Sequence, residues 1–196
     1  MSSPTLYYFD LIGLAEPTRL AFHLGGVPFT DFRFQREQWN EEYKAKSPTG
    51  KAPWLQFEDG SYLTESRAIL LYAASKAGLV PTDFTELAVC EQAYSIVQDS
   101  LPPLSDILHS HGDRETALKN ALERLAAADK VVASRQSKEG WINGKGMTYV
   151  DLAVFAFVKT FTDRIEGVDM TKYESLQKTY NAVNAEPRIQ EYYNKE

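Results

Sequence analysis

Two short stretches carry residue types that could hold a small polar ligand. Lys51-Ala52-Pro53-Trp54-Leu55 reads as a loop running into an extended segment, with Gly50 before it. Thr64-Glu65-Ser66-Arg67 reads as a strand end followed by a helix start, because Ala68, Ile69, Leu70, Leu71 and Ala73 supply an apolar helical run. Between them Asp59-Gly60 is a two-residue hairpin signal. A ligand lying across this place meets backbone N–H and C=O groups, then a carboxylate, a hydroxyl and the positive end of a helix. That combination suits a zwitterionic peptide: the helix start favours its carboxylate, and the acidic side chain can pair with its ammonium.

A third candidate is Tyr8, near the end of the short apolar strand Thr5-Leu6-Tyr7-Tyr8-Phe9. In an open α/β sheet, ligands collect at the carboxyl ends of strands. A phenol placed there can donate a hydrogen bond to a thiol sulfur and favour its thiolate, the nucleophilic form. Each unit by which the thiol pKa falls corresponds to about 1.4 kcal/mol of differential stabilisation. The competing reading of Tyr8 is ordinary aromatic packing within a strand. The sequence offers no Ser-His-Asp set, no paired catalytic carboxylates and no glycine-rich phosphate loop.

These residues need a scaffold. Thr5–Phe9 as a strand, a helix opened by Pro17 and closed by Gly25-Gly26, and a second strand over 29–34 form a βαβ unit, which requires parallel pairing. A short helix or irregular turn over 38–46 follows, anchored by Trp39 and Tyr43. Then come hairpin strands at 53–57 and 61–64 and a helix to about Lys76. The order β-α-β-α-β-β-α gives a four-stranded mixed sheet that needs a second module to cover it. Residues 78–83 read as a linker, after which every periodic segment is helical. These are a long helix from Phe84 to about Ser110, kinked at Pro102-Pro103, then helices over 114–134, from Thr148-x-x-Asp151 through an apolar run to Phe161, over 172–184, and from Pro187. The fold class expected is α/β plus all-α, with a first domain at 1–77 and a helical domain at 84–196.

Composition narrows the partners. The 196 residues carry a formal charge of -6, from 21 basic and 27 acidic residues, so bulk attraction to nucleic acid is not expected. The single cysteine, Cys90, excludes an internal disulfide framework and cysteine-rich metal clusters, and reads as buried packing. His23, His109 and His111 lack zinc-motif spacing. No stretch approaches the length of an apolar membrane span, and no targeting segment opens the chain, so a soluble cytoplasmic protein is expected.

Tyr8-Phe9, Gly13, Ala15-Glu16-Pro17 and Arg19 are followed by Trp39, Ala52-Pro53, Glu65-Ser66-Arg67-Ala68-Ile69 and Thr148-x-x-Asp151. On these residues the chain resembles the cytosolic glutathione transferases over essentially its whole length, and is most like the sigma class. That class includes invertebrate detoxifying enzymes, haematopoietic prostaglandin D synthases and lens crystallins. The resemblance implies a thioredoxin-like N-terminal domain, an all-helical C-terminal domain that contributes an electrophile pocket, a two-fold homodimer, and glutathione as co-substrate. It implies that Tyr8 is the catalytic tyrosine, and that Pro53 is a cis proline beside which Ala52 presents its N–H and C=O to the cysteinyl part. Ser66 would hold the γ-glutamyl carboxylate, and Glu65, standing where tyrosine-type members usually have glutamine, its ammonium. Trp39 would meet the glycyl carboxylate. The lysine expected four residues later is replaced by Tyr43, so a one-residue insertion would hand that role to Lys44, with Lys51 as a second cation. Asp99 resembles the aspartate sent to the γ-glutamyl amine from the neighbouring subunit.

Two departures stand out. Leu14 occupies the place of an arginine that orients the tyrosine, and no aromatic dimer key lies near Ser47-Pro48-Thr49. Arg67 is then an interface candidate. Leu11, Ile12, Leu14, Leu104 and Leu108 form an apolar wall for an electrophile, or equally an inter-domain core. The residues also have plainer readings: Trp39 as a helix anchor, Ser66 as a cap, Lys44, Lys51 and Asp99 as solvated charges. The leading expectation is transfer of glutathione to apolar electrophiles. The alternatives are a prostaglandin-type isomerase and a non-catalytic crystallin-like or ligand-binding protein.

Overall fold

The computed structural model describes residues 3–101, 107 and 112–194. The chain divides into two compact units, Met1–Val80 and Pro81–Glu196. Its architecture is a mixed β-α-β domain of thioredoxin-like order followed by an all-helical domain.

In the first unit β1 (Thr5–Phe9), α1 (Glu16–Gly25) and β2 (Thr30–Phe34) form the expected parallel βαβ. β3 (Trp54–Gln56) runs antiparallel to β1, and β4 (Tyr62–Thr64) antiparallel to β3, giving the order β2-β1-β3-β4. α3 (Ser66–Ala77) returns to pack against α1. Alternation decides which side chains go where. Leu6 and Tyr8 are buried on one face of β1, whereas Tyr7 and Phe9 join an aromatic cluster with Phe32, Phe34, Tyr43, Trp39 and Trp54 on the other.

Two local expectations need correction. The β3–β4 connection is wider than a two-residue hairpin: the Phe57 N–H donates to the Ser61 carbonyl at 2.8 Å, and Asp59 Oδ1 accepts the Ser61 N–H at 2.9 Å. The aspartate side chain closes the turn, so no primed two-residue loop is needed. The segment at 38–46 is neither an ordinary helix nor irregular. A single turn, α2 (Arg36–Gln38), opened by a Gln35/Gln38 capping box, continues directly into a π-helical turn over Trp39–Tyr43.

The second unit contains α4 (Phe84–Gln98), α5 (Arg114–Ala133), α6 (Tyr149–Arg164), α7 (Glu174–Asn184) and α8 (Pro187–Asn194). Asp83 and Asp113 cap α4 and α5 through their carboxylates. α6 is buried along nearly its whole length, as its apolar run requires, and the Thr148/Asp151 capping box opens it. The proline pair at 102–103 and the residues Leu104, Leu108, His109 and His111 lie outside the described residues. Among the described residues no helix is long and apolar enough to cross a membrane, and no cluster of three His, Cys, Asp or Glu side chains could hold a metal ion.

Candidate functional site

Strand register brings the sequence-predicted residues together. Tyr7, Trp54 and Thr64 are successive partners across β1, β3 and β4. The next step along each strand is therefore Tyr8, Pro53 and Glu65, three residues far apart in sequence that share one edge of the sheet. The Ala52–Pro53 peptide is cis. Because proline has no N–H, Pro53 ends the ladder at this edge.

Glu65 has φ +67° and ψ 116°, and is the only non-glycine residue with positive φ among the described residues. Such a conformation costs about 1–3 kcal/mol and persists where surrounding structure imposes it. Here it turns the chain from β4 into α3. No side chain caps α3, so the sequence reading of Ser66 as a cap does not hold: Ser66 is already the first helical residue. The opening N–H groups of this helix have no side-chain cap, and they lie beside the exposed Glu65 and half-buried Ser66. An uncapped helix start with a carboxylate beside it matches the two charged ends of an amino acid.

Tyr8 is 6% exposed. Its hydroxyl oxygen accepts a hydrogen bond from the Leu14 N–H at 3.1 Å. At position 14, where the resemblance expects an arginine, the contact with the phenol is made by the backbone of Leu14. Gly13 makes the approach possible: it has φ +48°, and a Cβ there would lie 2.7 Å from the Tyr8 oxygen. Arg19 lies beneath, its guanidinium carbon 5.8 Å from the centre of the Tyr8 ring. Gly13 and Arg19 stand in the motif set behind the family resemblance, but their residue types and spacing alone assign neither a place beside Tyr8.

Trp39 is half-buried, stacked on Phe34 at 5.7 Å and tilted against Phe9 and Trp54. Lys44 and Lys51 are exposed and make no ion pair among the described residues. Ser47 steadies the loop before Ala52, its hydroxyl accepting the Lys51 N–H at 3.1 Å. Asp99 belongs to the second unit, where it follows α4 and lies 3.7 Å from Arg124, both side chains largely exposed. Cys90 is buried with its sulfur 3.6 Å from the Thr148 hydroxyl, and burial pushes its thiol up to about 11. That leaves it almost wholly protonated at neutral pH and unsuited to nucleophilic work.

The first unit is thus a thioredoxin-like sheet whose edge carries Tyr8, cis Pro53 and Glu65, and the second unit is all-helical. Residues 14–76 match the family profile "Glutathione S-transferase, N-terminal domain", and residues 106–196 match "Glutathione S-transferase, C-terminal domain". Glutathione S-transferase 4 of Caenorhabditis elegans is 29% identical over 205 residues, covering 98% of this chain and 96% of the relative. A solved glutathione S-transferase of the same organism superposes with TM-score 0.87 at 28% identity, covering 100% of this chain and 98% of that one. The structure of prostaglandin synthase D of Nilaparvata lugens gives 0.80 at 27%, with 98% of each chain covered. The chain belongs to the glutathione S-transferase family. It is an enzyme of transferase type, and family membership implies glutathione as its co-substrate.

Proposed function

We propose that Tyr8 donates its hydroxyl hydrogen to the sulfur of bound glutathione, favours the thiolate, and thereby drives addition to an apolar electrophile. The sulfur attacks an electron-poor carbon, the leaving group departs with the bonding pair, and the thiol proton passes to solvent. The observation that carries this reading is the Leu14 N–H donating to the Tyr8 oxygen. It fixes the phenol at the sheet edge and polarises its O–H toward donation.

Around that sulfur, Ala52, which precedes Pro53, offers its backbone to the cysteinyl residue. Ser66 and the start of α3 take the γ-glutamyl carboxylate, and Glu65 its ammonium. The glycyl carboxylate goes to Trp39, Lys44 and Lys51. A homodimer, with Asp99 reaching the γ-glutamyl amine of the other subunit and Arg67 near the two-fold axis, belongs to the same proposal. So do the sigma-like class and an electrophile wall built on Leu11, Ile12 and Leu14, which are half-buried.

Calorimetric titration with glutathione and a chlorodinitrobenzene conjugation assay test the whole. Binding and turnover are expected in the wild type. Tyr8→Phe should lower kcat by about 10²-fold while leaving glutathione affinity within a few-fold. Equal loss of affinity and turnover would show that Tyr8 holds the peptide rather than activating the sulfur.

A second reading has one specific support, the likeness to the Nilaparvata lugens prostaglandin synthase. The thiolate would attack one oxygen of an endoperoxide and break the O–O bond. Loss of a neighbouring C–H proton would then form the carbonyl and expel the thiolate. Glutathione is consumed in conjugation and returned here, so product analysis with a labelled endoperoxide separates the two.

A further inference from the structure

Arg19 is the bulkiest completely buried side chain among the described residues, yet it lies on α1 rather than at the ligand edge. Its Nε donates to Asp31 Oδ1 at 3.0 Å, and Nη1 to Glu16 Oε2 at 3.1 Å. The same nitrogen donates to the Leu11 carbonyl at 2.8 Å and reaches that of Ile12 at 3.5 Å, while Nη2 donates to the Phe9 carbonyl at 3.3 Å. These carbonyls belong to the segment that leaves β1 just after Tyr8 and carries Gly13 and Leu14 over the phenol. One guanidinium therefore holds the loop whose far end supplies the N–H bound to the Tyr8 oxygen.

Charge is not what this arginine contributes. Asp31 and Glu16 neutralise it. Asp31 also accepts from Arg33 at 2.7 Å, and Arg33 in turn faces Asp10 at 3.5 Å. The acids outnumber the guanidinium groups, so little net positive field reaches the phenol. What remains is geometry, since a planar fork can bridge two carboxylates and a set of backbone carbonyls at fixed angles.

We propose that Arg19 is a positioning residue for catalysis, acting through the loop of residues 9–14 to hold the Leu14 N–H on the Tyr8 hydroxyl. The inference rests on the reading of Tyr8 given above. It predicts that lysine, which keeps the charge but has only a compact ammonium, does not replace it.

The test uses the full-length protein carrying Arg19→Lys, Tyr8→Phe, or both. For each, kcat, glutathione affinity, and the titration of the bound thiol by thiolate absorbance are measured. Arg19→Lys should lower kcat about tenfold or more and raise the bound thiol's pKa, with glutathione affinity within about threefold. The double variant should be no slower than Tyr8→Phe alone, because both changes remove one effect. A lysine variant with wild-type turnover and titration, or losses that multiply in the double variant, overturns the proposal. If Tyr8→Phe itself leaves the titration unmoved, the reading of Tyr8 falls first and this inference falls with it. Should Arg19→Lys not fold, Asp31→Asn loosens the same clamp from its outer side. It is expected to give about a threefold loss in kcat that likewise disappears in the Tyr8→Phe background.

Discussion

Lys44 stands one turn above Trp39: its N–H donates to the Trp39 carbonyl at 2.8 Å, closing the π-helical turn. In an α-helix the residue in that place would be Tyr43. The wider turn instead sends Tyr43 inward, where it stacks on Phe34 at 4.6 Å and is 8% exposed. Tyr43 is thereby committed to the aromatic cluster, while Lys44, the next residue, is exposed.

Lys44→Ala should therefore weaken glutathione binding about tenfold, the loss of a hydrogen bond to a charged group worth roughly 1.5 kcal/mol. Lys51→Ala should cost less, and both effects should shrink as salt is raised. Calorimetric titration at two ionic strengths reads this directly. An unchanged affinity for the Lys44 variant, with a large loss for Lys51, would move the glycyl carboxylate to the other lysine.

Glu65 combines strain with charge, so its replacement should move stability and affinity in opposite directions. Glycine tolerates φ +67°, and Glu65→Gly is expected to raise unfolding free energy by about 1 kcal/mol. The same change removes the carboxylate proposed to face the γ-glutamyl ammonium and should weaken glutathione binding about tenfold. Glu65→Gln keeps the strain and loses only the ion pair. Urea denaturation and titration of the three proteins separate the contributions. A glycine variant that binds as tightly as wild type would remove Glu65 from the ligand set.

Gly13→Ala tests the contact over the phenol. The added carbon would lie 2.7 Å from the Tyr8 oxygen and 2.5 Å from Leu11 Cδ1, in a backbone conformation that disfavours side chains. The leucine tip can swing away; the phenol, held by the Leu14 N–H, must tilt. Turnover should fall about tenfold to a hundredfold, at a stability cost of about 1 kcal/mol. Glutathione affinity should stay within about threefold. Stopped-flow conjugation and thermal unfolding on the same preparation give both numbers.

What the sequence revealed and what it hid divide along the range of the interaction. The βαβ unit, the turn into α3 and the Thr148-x-x-Asp151 entry to α6 are written in neighbouring residues, through periodicity, Pro17, Gly25-Gly26 and a capping pair. The π-helical turn was not legible, because it is set by the stacking of Tyr43 on Phe34, a contact between residues distant in sequence. Leu14 looked like a missing function, since a backbone N–H has no residue type to recognise. Arg19 stood in the motif set, but nothing local announced its contacts: Asp31 and the carbonyls of Phe9, Leu11 and Ile12 gather around it only in the folded chain. Asp59 announced a turn correctly, but its side-chain bond to Ser61 set a width that the dipeptide alone did not.

Asp151 offers a test away from the ligand edge. It is fully buried, and its oxygens accept from the Ile142 N–H at 2.9 Å, the Thr148 N–H at 2.7 Å and the Thr148 hydroxyl at 2.8 Å. Burial outweighs those hydrogen bonds and pushes the carboxyl up to about 6. Between pH about 4 and about 6 the folded protein thus keeps a proton that the unfolded chain, titrating near 3.9, has released. The group's contribution is fully present below about pH 4, declines as pH rises through about 6, and is level above that. Asp151→Asn cannot titrate, and its amide nitrogen must face at least one N–H or O–H donor. It should cost about 2–3 kcal/mol at pH 7, with a deficit that is larger at pH 4. Urea denaturation of both proteins across this range, with the Asp151 carboxyl carbon followed by NMR, checks the sign. A midpoint well below 4, with a deficit that grows toward neutral pH, would mean that the three donors outweigh burial and that the helix is held by a carboxylate rather than an acid.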